Sequence, residues 1–447
     1  MTTATPADAK SAAYREIDRK GDEAIRMAKD IRANPETGYR EHKTAGVVTS
    51  VFRELGIPFE EGIGITGVKG MLDTGRPGPT VAVMGELDSH LVKGHPYADS
   101  ETDFAHACGH HCQIGMLLAL AMGLKAPGAM DGLSGRVALI AVPAEEYIEI
   151  EYRNELRRQG KIEFLVGKSE WIKLGAFDDV DMALITHTDL QRPNVKFRVG
   201  GTSNGMVAKL AQFKGVSAAA GSEPHLAINA LNAATLALNA IHAQRETFRD
   251  EDAIRVHPII TKGGGAVSAV PDDVRIETHI RGKTIEGVLS ATKKIDRALK
   301  SGAFAMGASV SITTTPGYLP VQNDPNLKRI NDANLMQVVG EDAVIERGHD
   351  GWSSDTGDLG TLMPTVLPLI ASASGRAHGV DYLVEDYPLT VVTTAKAIAG
   401  SVIDLLSNGA EQARQVKESF KPTFTKEEYL ATVRALAGEE TFSAEAG

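Results

Sequence analysis

The hydrophobic pattern changes texture twice along this chain. An amphipathic helix runs through about Arg32, its apolar positions returning at helical spacing among charged ones. Short, nearly continuous apolar runs follow at 67–72, 80–87, 137–143 and 182–186 and predict strands. Among them lie an apolar helix at about 111–124 and a shorter helix near 169–174. Strands without polar alternation are buried on both faces, which predicts an α/β layered sheet.

From about Phe197 alternation takes over in VAKLAQFKG, IRVHPIITKGGG, DDVRIETHIRG and SVSITTTPG, with helices near 226–243 and 285–299 between them. That strand-helix-strand-strand-helix-strand order predicts a ferredoxin-like sandwich. The remainder from about Tyr318 returns to helix and buried strand, with PTVLPLIAS and a long helix over 389–406, and GEETFSAEAG reads as a mobile tail. At 447 residues two domains are expected. The first comprises 1–197 and 316–447, and the second is the insertion 198–315.

A formal charge of −11 with no basic stripe excludes a nucleic-acid surface. The amino-terminal segment lacks an apolar core behind basic residues, and IGMLLALAMGL is too short to span a bilayer, so a soluble cytoplasmic protein with no membrane partner is expected. Only two cysteines occur, Cys108 and Cys112, too few for a disulfide framework. A local bridge between them is the lesser reading beside a metal site, and Cys112 reads as a packed helix residue.

The chemistry concentrates at strand ends. Ala105-His106-Ala107-Cys108-Gly109-His110-His111-Cys112 opens the apolar helix, Glu145-Glu146 follows RVALIAV, His187 follows MALI, and His378 stands in GRAHG. Thiolate, neutral imidazole and carboxylate are the side chains that hold divalent transition ions. Cys108, His110, Glu146, His187 and His378 exceed the needs of one tetrahedral ion, which leaves two ions bridged by the Cys108 thiolate, or one ion with spare groups. Imidazole and carboxylate suit Mn2+, the thiolate also suits Zn2+, and Co2+ fits the same donors. Glu145, beside a ligand, is the candidate general base. His90, His242, His257 and His279 read as ordinary histidines.

With these residues in place the chain resembles the aminoacylase/carboxypeptidase family of metallohydrolases, in its amidohydrolase branch. NPETGYREHKTA, GELD, HACGH, PAEE, THT, FKG, PHLAINALNA and GRAHG carry the likeness. It implies a mixed-sheet, metallopeptidase-like catalytic domain with an inserted α+β dimerisation domain, hence a homodimer or higher homo-oligomer. It also implies that the five residues named are metal ligands, with Glu145 as base and Asp88 orienting a ligand.

Three positions depart from the family pattern. His111 replaces an aspartate after HACGH, Ala219 falls where an oxyanion-binding histidine is usual, and Ser268 replaces an asparagine. Losing an oxyanion donor typically costs about 2–4 kcal/mol of transition-state stabilisation. Either His225 or His257 substitutes, or the charge develops elsewhere. The second option is met when water attacks an electron-poor aromatic carbon, as in converting 5-nitroanthranilate to 5-nitrosalicylate and ammonia. The overall likeness within the family, together with the missing histidine, implies a small aromatic carboxylate as substrate, clamped by Arg281 or Arg376 unless these serve structural ion pairs. A conventional amidohydrolase of N-acyl amino acids or aminobenzoyl-glutamate-like amides is the alternative. A non-catalytic metal carrier is a third reading, against which the intact Glu145 argues.

Overall fold

The computed structural model describes residues 5–444. They divide into two compact units: the larger runs to Gly201 and adds Gln322–Gly348 and Asp358–Lys426, and the smaller takes Thr202–Val321, His349–Gly357 and the chain from Glu427.

In the larger unit six strands lie in the order Phe59–Ile63, Gly67–Asp73, Arg136–Val142, Thr80–Glu86, Met182–Ile185 and Thr365–Val366. The last four are mutually parallel and the first two antiparallel to their neighbours, a mixed sheet. Thr80–Glu86 is buried along its whole length, as its unbroken apolar run requires. The helix His110–Leu124 is likewise buried at every residue, because a helix apolar all round has no face to offer water. Glycines let it approach the amino-terminal helix Pro6–Ala33 closely: a Cβ on Gly115 would lie 2.8 Å from Ala28 Cβ. The segment Pro388–Leu406 is long and apolar enough to cross a membrane by length and composition, which the shorter run weighed from sequence was not, but most of it is buried in this core.

A second sheet of this unit holds Val344–Glu346, Phe197–Val199, Leu369–Ser374 and Leu383–Val384, with His187–Leu190 paired to Leu369–Ser374. The chain leaves the first sheet at Ile185 and enters the second at His187, so this histidine sits at the step between them.

The smaller unit is the five-stranded antiparallel sheet Arg255–Lys262, Asp273–Gly282, Gly205–Lys214, Ser309–Pro316, Gly438–Ser443. Asp273–Gly282 alternates strictly between buried and half-buried residues. The helices Ala230–Gln244 and Ile285–Met306 pack on its apolar face. The first four strands have the expected ferredoxin-like order.

Three details differ from the sequence reading. The helix expected from 226 starts at Ala230, because the Asn229 side chain accepts from the Leu231 and Asn232 amides and fixes the cap there. The boundaries at 198 and 315 move to 202 and 321, and 349–357 joins the smaller unit because His349–Asp350 pairs with Thr202–Ser203. As far as Ala444 the tail is not loose, and its last three residues lie outside those described. Gly438–Ser443 pairs with Ser309–Pro316 and satisfies an edge that would otherwise present unpaired backbone groups.

Candidate metal centre

Strand ends and one tight turn deliver the functional side chains. Thr80–Glu86 leads into Asp88, Arg136–Val142 into Glu145 and Glu146, and Met182–Ile185 into His187. Between strand and glutamates Ala144 takes a left-handed backbone, φ 53°, with its amide bonded to Glu41 Oε1 at 2.8 Å. Gly109, φ 91°, separates Cys108 from His110, and a Cβ there would lie 2.3 Å from Thr188 Oγ1. Glycine is therefore required between the two donors, and the Thr188 hydroxyl ties the turn down by donating to the Cys108 carbonyl at 2.7 Å.

The predicted donors meet. Cys108 Sγ lies 3.1 Å from His187 Nε2 and 3.4 Å from His378 Nε2. His378 Nε2 lies 3.2 Å from Glu146 Oε1, and His110 Nε2 lies 4.0 Å from Glu145 Oε2. Two ligands about 2.1 Å from a tetrahedral ion stand about 3.4 Å apart, so these spacings match the edges of a coordination polyhedron. Three groups have their donor atoms within 4.8 Å of one another: Cys108, His110 and His187; His90, Glu146 and His378; Glu86, His110 and Glu145. His110 Nε2 and Glu146 Oε1 are buried and make no well-aligned hydrogen bond among the described residues, although Glu86 Oε2 and His378 Nε2 face them, each at 3.2 Å. Buried polar atoms left so are costly unless something binds them, and a divalent cation fits this donor set.

Electrostatics agree. Burial and the Glu146 charge push the Cys108 thiol up, but the imidazoles of His187, His110 and His378 outweigh them and hold it at about 5. The Glu146 carboxylate raises His378 to about 11, against the effect of burial. Burial raises Glu146 as well, yet His378 and His90 hold it well below the usual carboxylate range.

Behind these groups stands an orienting layer. His110 Nδ1 faces the Asp88 carbonyl at 3.0 Å and Oδ1 at 3.2 Å, while Asp88 Oδ2 accepts from the Glu146 amide at 2.8 Å. Asp88 thus touches a residue of each of two donor groups. His187 Nδ1 bonds the Thr188 carbonyl at 2.8 Å, which turns Nε2 toward Cys108. Glu86 accepts from Lys168 Nζ at 2.5 Å and Gln113 Nε2 at 2.9 Å, and its Oε2 lies 3.2 Å from His110 Nε2. Burial raises Glu86, but Lys168 and His110 prevail and hold it at about 2. His111, which takes the place of the family's aspartate, has its Nε2 3.0 Å from the Tyr387 hydroxyl, beside His106. Both cysteines are free thiols, Cys112 fully buried.

Sequence reasoning passed over Lys168, Gln113 and His90. Glu86 was visible at a strand end but had no role. Nothing local marks Lys168, whose partner is 82 positions away.

Of the expected substrate-binding residues, Arg376 lies in the larger unit and Arg281 and His225 lie in the smaller. Arg376 is exposed and paired with Asp381, Nη2 to Oδ2 3.2 Å. Arg281 and His225 belong to the smaller unit, Arg281 with Nη2 at 3.5 Å from His279 Nδ1 and His225 on an exposed turn. Ala219, also there, pairs with Ala269, and the Ala220 amide donates to the Ser268 carbonyl at 2.9 Å. His257, the other proposed substitute, lies opposite His279 in the sheet.

A sequence model described as peptidase family M20/M25/M40 matches residues 80–403. The chain is 30% identical over 320 residues to thermostable carboxypeptidase 2 of Saccharolobus solfataricus, covering 68% of this chain and 75% of that protein. It is 31% identical over 308 residues to indole-3-acetyl-aspartic acid hydrolase of Enterobacter agglomerans, covering 63% of this chain and 66% of the relative. A solved Bacillus subtilis structure, described as a dinuclear metal binding peptidase of the M20 family, superposes with a TM-score of 0.62 at 18% identity, over 86% of this chain and 98% of that one. At that identity the likeness concerns the fold.

Proposed function

Since the chain belongs to peptidase family M20/M25/M40, a family of metal-dependent hydrolases, we propose that it hydrolyses a carbon–nitrogen bond of a small acid with Glu145 as general base. The observation that carries this reading is the meeting of Cys108, His110, His187, Glu146 and His378, with buried donor atoms that lack well-aligned hydrogen bonds and a second glutamate adjoining them. In this reading Cys108, His110 and His187 would hold one divalent cation, and Glu146 and His378, together with Cys108, would hold a second. Bound there, a divalent cation supplies Lewis acidity and makes a water molecule nucleophilic at neutral pH. Mn2+ is favoured by the imidazole and carboxylate donors.

Glu145 is 6% exposed, enough to meet a water but little enough to keep its carboxylate out of bulk solvent. It removes one proton from the attacking water and returns it to the departing nitrogen. Asp88 keeps His110 and Glu146 in register while this happens.

For the substrate we favour an electron-poor aromatic amine bearing a carboxylate, with 5-nitroanthranilate as the test compound. Water adds at the ring carbon that carries the amino group. The carbon–oxygen bond forms, the carbon–nitrogen bond breaks, and ammonia leaves with the transferred proton. Negative charge passes into the ring and its nitro group, so no carbonyl oxyanion has to be bound. The support is Ala219, opposite Ala269 where an imidazole would be wanted for an amide. Amide hydrolysis is the second reading, supported by the activities in the relatives' names. The assembly proposed is a homodimer through the inserted unit, whose edge strand Arg255–Lys262 exposes Ile259 and Ile260 at 51% and 41%.

The test is product analysis with Mn2+-loaded protein. Ammonia from 5-nitroanthranilate, without amino-acid release from N-acyl amino acids or p-aminobenzoyl-glutamate, is the expected result; the reverse pattern favours the amide reading. Glu145→Gln should keep its bound metal and lose about 10²–10⁴ in turnover. Turnover that survives this substitution refutes the base assignment.

A further inference from the structure

We infer that His90 is a further protein ligand of the second cation, joining Glu146, His378 and the shared Cys108. The inference deepens the two-cation reading above and rests on it. His90 was read from sequence as an ordinary histidine, and the fold gives it a different setting.

The residue lies on the short strand His90–Leu91, which pairs with Phe104–Ala105 and places His90 opposite Ala105, three residues before Cys108. Its backbone is thereby fixed to the segment that leads into the Cys108–His110 turn. Its ring stacks on that of His378, with centroids 4.3 Å apart and planes 25° from parallel. Its Nε2 faces Glu146 Oε2 at 3.9 Å, and the donor atoms of His90, Glu146 and His378 all lie within 4.8 Å of one another.

Tautomer logic selects the role. His90 Nδ1 lies 3.0 Å from the Leu91 carbonyl, so this nitrogen carries the proton and donates it. Nε2 is then the nitrogen available to a cation, and Glu146 Oε2 stands 3.9 Å from it, with room for an ion between them. His187 uses the same device, bonding the carbonyl of the next residue through Nδ1 while Nε2 faces the Cys108 thiol. Metal-binding histidines characteristically donate their other ring N–H in this way. His90 therefore has the orientation of a ligand, with a carboxylate and a second imidazole already beside its lone pair.

With Cys108 shared, each cation would have three protein donors of its own or in common besides His90: Cys108, His110 and His187 for the first, Cys108, Glu146 and His378 for the second. His90 raises the second set to four. The two sites thus differ in how many positions remain for water and substrate, and the first is the more open.

The test is metal uptake by the full chain, with activity unread. Metal-free protein is titrated with Mn2+ by calorimetry, and with Co2+ by absorption, where the thiolate-to-cobalt band reports Cys108. The native chain should bind two equivalents. His90→Ala should bind the first with its thiolate band unchanged and the second at least about 10-fold more weakly. His90→Asp, which returns a donor at that position, should recover much of the loss. Circular dichroism spectra that coincide show that the variants fold. Two equivalents of unchanged affinity in His90→Ala overturn the His90 assignment alone. A native chain that binds a single equivalent overturns the two-cation reading, and this assignment with it.

Discussion

Replacing Lys168 by methionine should destabilise the larger unit by about 3 kcal/mol at pH 7. Lys168 is wholly buried, its ammonium 2.5 Å from Glu86 Oε1, and Glu86 itself is 2% exposed. Methionine keeps the length of the side chain and removes the charge. Breaking a buried pair by deleting one member typically costs about 3–5 kcal/mol, because the other is left uncompensated. The stranded acid can limit that cost by taking up a proton. Burial, opposed in the native chain first by Lys168, then raises its pKa. Holding neutral at pH 7 an acid whose ordinary pKa is 4.5 costs about 3.4 kcal/mol relative to the ionised unfolded chain. The two routes agree on about 3 kcal/mol. The sign of the pH dependence follows: a pKa raised in the folded state makes the deficit small below about 4.5, and the deficit grows as pH rises through neutrality. Urea unfolding of the metal-free chain reads this directly, since Trp171 lies on the same helix, Gly167–Leu174, and Trp352→Phe removes the only other tryptophan. Adding Glu86→Gln to the methionine variant should restore all but about 1 kcal/mol, because a neutral pair has no charge to strand. A loss below about 1 kcal/mol at pH 7, or one that fails to shrink at pH 5, would refute the argument.

Two further outcomes test the smaller unit. Ending the chain after Ala437 removes the strand Gly438–Ser443 and the Phe442 ring beside Phe304, at a cost of about 1–2 kcal/mol. Amide exchange over Ser309–Pro316 should accelerate, and unchanged protection would show that the last strand contributes nothing. His279 is pushed down to about 4 by burial, with Arg281 on its own strand and His257 on the next adding to the effect. A depressed histidine contributes stability above about 6.5 that is lost as pH falls toward 4, because the unfolded chain takes the proton first. Its partial exposure sets the loss at about 2 kcal/mol rather than the full value of the shift. His279→Gln should flatten the stability profile of this unit between pH 6.5 and 4; a slope identical to that of the native chain would remove His279 as its source.

The fold and the inner site were legible to different depths. Cys108 and His110 share one turn at the start of an apolar helix, and Glu145 and Glu146 are adjacent after an apolar strand, so these candidate residues could be picked out before any coordinates. Unbroken apolar strands likewise announced a buried sheet, and alternation announced the inserted sandwich. Local order of this kind is written in periodicity, because backbone geometry repeats over two or 3.6 residues. What lay beyond reach was non-local. Glu86 finds its ammonium 82 positions away in Lys168, and His378 meets Cys108 across 270. Gly438–Ser443, taken for a loose tail, is ordered by an edge laid down more than a hundred residues earlier. His90 carries no pattern at all, and only the pairing of its strand with Phe104–Ala105 turns it toward Glu146. The amino-acid order alone indicated the main helices and strands and most of the side chains that are candidates to bind a cation. Tertiary packing decided which of those side chains face one another, because partners are chosen by burial and charge across space, where distance along the chain exerts no force.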